Sequence, residues 1–288
     1  VPLLEHTIER AVALAAAMDL RGFGTSSRAS AEPGDITFTN FTLRYDNTEV
    51  LRDVNLTLPV GSLTVVAAQT GSGKTALLES IAGLAQHFHH GQILGTLSIG
   101  SVDRNVAAPR ETSGLIGFVP QNVRLGFAAA TAREELEFGM RVSGRSRAEA
   151  GARANELIDQ FSLAGFADQP IEVLSSGEAT RVAIAAALAQ EPQILLLDEP
   201  LADLDQSARK VLIALLHKLH TTTAISIVIA EHHTAGLEVL NPTWLTLEAG
   251  VVAEGRYTPA PLSSPARTTA VVGSDEIVQV KDLSFTHE

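Results

Sequence analysis

The chain has 288 residues, enough to bury the core of one large α/β domain, and its formal net charge of −12 lacks the basic excess that duplex nucleic acid selects. It contains no cysteine, which excludes disulfides and thiolate metal sites and favours a reducing compartment such as the cytoplasm. The most apolar early stretch, residues 11–18, is too short to span a bilayer, and acidic residues precede it where a secretory signal has basic ones.

Five segments of different composition follow one another along the chain. Residues 1–24 contain an alanine-rich stretch, Thr7 to Arg21, that predicts a helix ending at Gly22, and residues 25–34 are a polar linker. Residues 35–255 alternate apolar strand-like runs with helical patterns, which predicts an α/β domain with a mostly parallel sheet. Residues 256–274, rich in Pro, Ser, Thr and Ala, predict a flexible linker.

The final segment, residues 275–288, is strand-like again and resembles residues 36–45. One interpretation of this resemblance is that a second copy of the main domain begins at residue 275. The other is that the two segments share only the alternating pattern of any two half-buried strands.

The sequence TGSGKT lies between a buried-strand pattern at residues 62–68 and a helical pattern at residues 75–84, the setting of a phosphate-binding loop. Its glycines allow backbone N–H groups to surround an anion at a helix N-terminus. Lys74 is expected to reach the β- and γ-phosphates of ATP, and Thr75 to offer its hydroxyl to Mg²⁺. The residues predicted to bind the nucleotide are Thr70, Gly71, Ser72, Gly73, Lys74, Thr75 and Ala76. Ala68 replaces the usual first glycine, which weakens binding if the backbone there needs a positive φ.

Two further motifs follow downstream. ILLLDE, residues 194–199, predicts a central strand in which Asp198 holds Mg²⁺ and Glu199 polarises the attacking water, with structural ion-paired acids as the alternative. LSSGE, residues 174–178, precedes a helical run and predicts another anion-facing helix start, although by itself it is equally a good N-cap.

Six features of residues 35–255 resemble, in the same order, the motifs of the ATP-binding-cassette (ABC) ATPases. They are TGSGKT, Gln121 after GLIGFVP, LSSGE, ILLLDE, LADLD and AEHH. The resemblance implies a P-loop core with a mostly parallel sheet, an antiparallel β subdomain and an α-helical subdomain, and two such domains enclosing two nucleotides. It assigns adenine stacking to Tyr45, contact with the opposite domain's ATP to Ser175 and Gly177, and the D-loop acid to Asp205. The implied catalytic residues are Lys74, Gln121, Glu199 and His232, and the implied Mg²⁺ ligands are Thr75, Gln121 and Asp198.

This sequence departs from the family pattern at Ser176, Glu178 and Asp203, where LSGGQ and a glycine are commoner. With Ala68, these departures leave open that one of the two composite sites hydrolyses ATP slowly.

Residues 133–139, REELEFG, and AEHH around His232 resemble the ATPases of energy-coupling-factor (ECF) importers, which take up vitamins and transition-metal ions in prokaryotes. Residues 9–24 resemble the cytoplasmic end of that family's transmembrane coupling protein, whose Arg-Gly motif, here Arg21 and Gly22, docks on the ATPase. A surface helix with a glycine cap is the alternative. The resemblance implies a fused parent polypeptide of coupling protein and two ATPases at the cytoplasmic face of the membrane, with a substrate-binding membrane component as a further partner.

Two other function classes remain open at this point. A non-transport ABC ATPase, acting in DNA repair or on the ribosome, usually carries coiled-coil or basic insertions that are absent here. A regulatory cassette that binds ATP without turnover is disfavoured by Glu199.

Three remaining features are interpreted as structural. The histidines of QHFHHG, His87, His89 and His90, are assigned to a solvated turn without a nearby carboxylate, and Glu134, Glu135 and Glu137 to a solvated helix face. Trp244 is assigned to the core.

Overall fold

The computed structural model describes residues 2–23 and 34–256, which belong to one unit spanning Val1–Tyr257. The predicted linkers, apart from Gly34 and Arg256, and the strand-like residues 275–288 lie outside the described residues.

The described elements run in chain order as α1 (Pro2–Leu20), β1 (Ile36–Tyr45), β2 (Thr48–Leu58), β3 (Leu63–Ala67), α2 (Lys74–Ala82), α3 (Leu84–His87), β4 (Gln92–Ile99), β5 (Val102–Asp103), β6 (Ile116–Val119), α4 (Ala132–Val142), α5 (Arg147–Gln160), α6 (Ser176–Leu188), β7 (Ile194–Asp198), α7 (Gln206–Thr222), β8 (Ser226–Glu231), β9 (Thr243–Glu248) and β10 (Val251–Glu254). Helix α1 begins five residues before the predicted start at Thr7 and ends where Gly22, with a φ of 77°, closes it as predicted.

A six-stranded sheet forms the centre of the domain, in the order β10-β9-β3-β8-β7-β6. Its neighbours pair in parallel except for β9 and β10. Every residue of β3, β7 and β8 is buried, which explains their continuous apolar sequences, because helices cover both faces of the sheet. The carboxyl ends of these three strands therefore meet at one edge.

A second sheet is antiparallel throughout, in the order β2-β1-β4-β5. Buried residues of β1 and β2, such as Phe41 and Leu51, share a hydrophobic cluster with Leu78 and Ile81 of α2. The helix that follows the phosphate loop is thus packed between the two sheets.

Helices α4, α5 and α6 pack together beside the parallel sheet, and their buried residues form a second hydrophobic cluster. Thr131, Ser146 and Ser175 cap the three helices, each in a capping box with the glutamate three residues later. The predicted fold class, a P-loop core with an antiparallel β subdomain and an α-helical subdomain, is confirmed. No helix within residues 2–23 and 34–256 has the length and hydropathy to cross a membrane.

Candidate nucleotide-binding site

The phosphate loop connects β3 to α2 at the carboxyl edge of the parallel sheet. Gly71 and Gly73 have φ values of 79° and 105°, and a Cβ at Gly73 would lie 3.1 Å from the carbonyl oxygen of Val50. Gly73 is the N-cap of α2 and offers no side chain to the first N–H groups of the helix, which are left to bind an anion. Ala68 is not among the positive-φ residues of the described chain, so an alanine at this position costs no backbone strain.

Lys74 is almost fully buried at the start of α2, with 4% of its surface exposed. Its Nζ donates hydrogen bonds to the carbonyl oxygens of Ala68 (3.1 Å) and Gln69 (3.0 Å), and lies 3.1 Å from Oε1 of Glu199. The ammonium group therefore lies inside the loop, where an anionic phosphate would be a strong hydrogen-bond partner for it.

Thr75 and Asp198 provide oxygen ligands suited to Mg²⁺. The Thr75 hydroxyl donates to Oδ2 of Asp198 at 2.7 Å, while Oδ1 of Asp198 is buried without a hydrogen-bond partner. Burial raises the pKa of Asp198 to about 6, as expected for a carboxylate that lacks a full set of partners. Within the described residues no three His, Asp or Glu side chains are grouped to hold a metal ion. A Mg²⁺ ion bound by Thr75 and Asp198 would complete its coordination with water or phosphate oxygens.

Glu199 lies at the centre of the site, immediately after β7. Its Oε2 is 3.2 Å from Nε2 of Gln121 and 3.6 Å from Nδ1 of His232, while Lys74 contacts its other oxygen. Its φ of 46° is left-handed, a strained conformation for a glutamate that is typical of functional sites. Burial, with the neighbouring His233, lowers the pKa of His232, so this histidine is mainly neutral near pH 7.

The structure thus brings six of the predicted residues together and leaves Tyr45, Ser175 and Gly177 outside that cluster. The six are Lys74, Thr75, Gln121, Asp198, Glu199 and His232. Tyr45 is half-buried at the end of β1, where burial and the nearby Glu79 raise its pKa to about 12. Ser175 donates its hydroxyl to Glu178 at 2.7 Å, and Gly177 packs against Ala208. Ser176 of the LSSGE segment lines a cavity of about 350 Å³ together with Gln121 and Glu199 of the catalytic cluster.

Two of the interpretations as structural features are wrong. Glu135 is not solvated: its side chain is fully buried, with Oε1 2.6 Å from Arg21 and Oε2 accepting the N–H groups of Ala128 (2.8 Å) and Ala129 (3.0 Å). His89 has a carboxylate nearby, because Oε1 of Glu79 lies 3.4 Å from its Nε2. Trp244 packs against the core cluster as predicted, with the guanidinium of Arg256 4.9 Å from its ring centre.

The end of α1 fits against the helical subdomain through Arg21. Besides the Glu135 ion pair, its guanidinium lies 5.6 Å from the ring centre of Phe138, and its carbonyl oxygen accepts a 3.0 Å hydrogen bond from Gln190. Both Glu135 and Phe138 belong to the REELEFG segment.

Sequence reasoning missed two buried polar residues. Glu231 ends β8 at the same edge of the sheet as Asp198. Its segment, SIVIAE, is an apolar run that ends in an acid, which is the same pattern that identified ILLLDE as a functional strand. Arg104 is fully buried and donates to the carbonyl oxygens of Ile81 and Ala82 at the end of α2 and to the hydroxyl of Thr112. Burial lowers its pKa to about 10, and no sequence pattern distinguishes it from a surface arginine.

Comparisons with known proteins place this geometry in a family. A family model described as "ABC transporter" matches residues 51–202. The sulfate/thiosulfate import ATP-binding protein CysA of Mycobacterium bovis is 36% identical over 200 residues, which cover 69% of this chain and 55% of that protein. The chain thus spans just over half the length of that relative.

Two solved structures are similar as well. CbiO1 from Clostridium perfringens, part of the ABC transporter complex cbiONQ, has a TM-score of 0.67 at 25% identity, covering 78% of this chain and 89% of that one. The ATP-binding cassette MJ0796, a dimer bound to ADP and Pi in a post-hydrolysis state, has a TM-score of 0.66 at 26% identity, covering 77% of this chain and 100% of that one. With the phosphate loop, the strand-end acids and the family match in agreement, the chain belongs to the ABC transporter family, as an ATP-binding ATPase domain.

Proposed function

We propose that this chain is the ATP-hydrolysing component of a prokaryotic ECF-type importer for a vitamin or a transition-metal ion. Its work is done at the cytoplasmic face of the membrane, with a second ABC ATPase domain, a transmembrane coupling protein and a substrate-binding membrane component as partners. The observation that carries the ATPase role is the convergence of Lys74, Gln121 and His232 on Glu199 beside the phosphate loop.

In this proposal each residue of the cluster has a defined role. Lys74 leaves the loop carbonyls and neutralises the β- and γ-phosphates of ATP. Glu199 takes a proton from the attacking water, and Gln121 and His232, which flank its Oε2, orient that water and the γ-phosphate. Thr75, Asp198 and Gln121 would hold Mg²⁺, which would supply positive charge to the phosphate oxygens.

The remaining predicted residues extend the site beyond this cluster. Tyr45 would stack on adenine from the antiparallel sheet. Ser175 and Gly177 would complete the site of a second domain. Glu178, the departure from LSGGQ, is compatible with this role because its carboxylate caps α6 together with Ser175.

The ECF assignment rests on the docked α1. Arg21 forms an ion pair with Glu135, a buried carboxylate of REELEFG, and this contact agrees with the docking of an Arg-Gly coupling motif on its ATPase. The likeness to CbiO1, part of the ABC transporter complex cbiONQ, supports the same assignment, and the likeness to CysA supports import in general.

The variant Glu199→Gln tests the hydrolytic role. It keeps the length of the side chain and one acceptor oxygen but removes the base, so ATP binding should persist while turnover falls by roughly 10²- to 10⁴-fold. Glu248→Gln is the matched control, because Glu248 is an exposed acid at the end of β9 that has no role in the proposed mechanism, and it should leave turnover unchanged. Full turnover by Glu199→Gln would remove the assigned role.

The importer assignment has a separate test. The parent polypeptide is purified from membranes, and the copurifying proteins and bound small molecules or metal ions are identified by mass spectrometry. Recovery without any membrane-spanning partner would contradict the importer proposal while leaving the ATPase role intact.

A further inference from the structure

Glu231, the last residue of β8, is a fully buried carboxyl group that the roles above do not use. Its exposed fraction is 0%, and no lysine or arginine forms an ion pair with it among the described residues. Burying a carboxyl group away from water is costly unless its oxygens are well bonded. Here Oε1 accepts a hydrogen bond, whereas Oε2 is buried without one.

Glu231 connects three segments of the catalytic site. Its Oε1 accepts the backbone N–H of Leu201 at 2.7 Å, and its carbonyl oxygen accepts the N–H of Ala68 at 3.2 Å, where the phosphate loop begins. The next residue is His232, whose Nδ1 lies 3.6 Å from Glu199.

The hydrogen bond from Leu201 to Glu231 joins β8 to the turn that contains Glu199. The N–H of Glu199 donates to the carbonyl oxygen of Ala230 at 2.9 Å, and its carbonyl oxygen accepts the N–H of Ala202 at 3.1 Å. Two successive residues of β8, Ala230 and Glu231, therefore hold this turn, the first through its backbone and the second through its side chain. Glu199 has a left-handed φ of 46°, and such a conformation persists when surrounding bonds enforce it.

We propose that Glu231 is a positioning residue for ATP hydrolysis. By accepting the Leu201 N–H it fixes the turn after β7 and keeps the Glu199 carboxylate facing Gln121 and His232. The requirement is for a hydrogen-bond acceptor at the distance of a glutamate side chain. This inference rests on the proposed role of Glu199 as the base.

Burial and the nearby Glu199 raise the pKa of Glu231 to about 7, whereas the N–H groups of Leu201 and His233 and the positive charge of Arg209 oppose that rise. The site thus does not favour a negative charge there, which agrees with a role as acceptor rather than as anion.

The test compares Glu231→Gln with Glu231→Asp in the full chain. Glutamine has the length and the acceptor oxygen without the charge, so its kcat for ATP should stay within about threefold of the unchanged protein. Aspartate keeps the charge but is one methylene shorter and does not reach Leu201, so kcat should fall by about 10²-fold with the Kd for ATP within about twofold. Glu248→Gln and Glu248→Asp are the matched controls.

The possible outcomes separate three explanations. Lower activity in Glu231→Gln than in Glu231→Asp would show that the charge is needed and would overturn the proposal. Losses of kcat, ATP affinity and melting temperature in parallel in both variants would indicate a purely structural role and would also overturn it. Glu199→Gln is assayed alongside: if that variant turns over normally, the proposed base is wrong, whereas normal turnover of Glu231→Asp alone refutes the positioning role.

Discussion

Replacing Arg21 with methionine should release α1 from the ATPase domain. The change keeps most of the apolar length of the side chain but removes the cation that faces Glu135. The side chain of Glu135 is fully buried, and the side chain of Arg21 is 18% exposed. Removing one partner of a buried ion pair costs roughly 3–5 kcal/mol. Because Glu135 keeps the N–H groups of Ala128 and Ala129, we expect the smaller loss of about 2 kcal/mol.

This loss can be measured by thermal unfolding and by hydrogen exchange. A decrease of about 2 kcal/mol corresponds to a melting temperature about 4–8 °C lower for a domain of this size. Amide exchange in α1 should rise in the same variant. Arg10→Met is the matched control, because Arg10 is an exposed arginine on the same helix, and it should change stability by less than about 0.5 kcal/mol.

A double variant, Arg21→Met with Glu135→Met, separates the ion pair from packing. If the cost of the single change comes from leaving the Glu135 carboxylate buried and unpaired, the double variant should recover part of the lost stability. Equal melting temperatures for Arg21→Met, Arg10→Met and the unchanged protein would refute the reasoning.

Three further predictions address the loop and the buried polar groups. Gly73→Ala should weaken ATP binding at least about tenfold in a titration with a fluorescent ATP analogue, because alanine disfavours a φ of 105°. Its matched control, Ala68→Gly, should change the Kd for ATP less than about twofold. Equal effects of the two changes would contradict the backbone argument. Arg104→Met should lower the free energy of unfolding in urea by about 2–4 kcal/mol, because buried carbonyl groups at the end of α2 lose their donors, and unchanged stability would show that those carbonyls find other donors. The ion pair with Glu79 raises the pKa of His89, so the stability it adds is present below about pH 6.5 and is lost as the pH rises through the folded-state pKa. His89→Gln should therefore cost less than about 1 kcal/mol at pH 6 and nothing at pH 8.5, and an equal cost at both pH values would exclude the ion pair as its source.

The fold and most of the catalytic cluster could be predicted from sequence because their signals are local. The phosphate loop needs glycines at fixed positions between a strand and a helix, and Asp198 and Glu199 end an apolar run that only a buried strand explains. Parallel strands place their carboxyl ends at one edge, so the convergence of these residues with His232 follows from the strand pattern.

The errors concern residues whose environment depends on distant segments. Glu135 has the sequence neighbours of a solvated helix face, and it is buried because Arg21, 114 residues earlier, packs against it. His89 likewise meets Glu79 through the packing of α2 against the loop before β4.

By itself, the sequence determined the parallel sheet, the phosphate loop and the acids that follow it, since spacing along one or two neighbouring elements fixes each of them. Only the tertiary structure decided that Glu135 anchors Arg21, that Arg104 donates to the end of α2, and that Glu231 bonds to Leu201. A hydrogen bond between side chain and backbone across 30 residues leaves no periodicity in the sequence, because it depends on which strands are neighbours and how their ends are aligned.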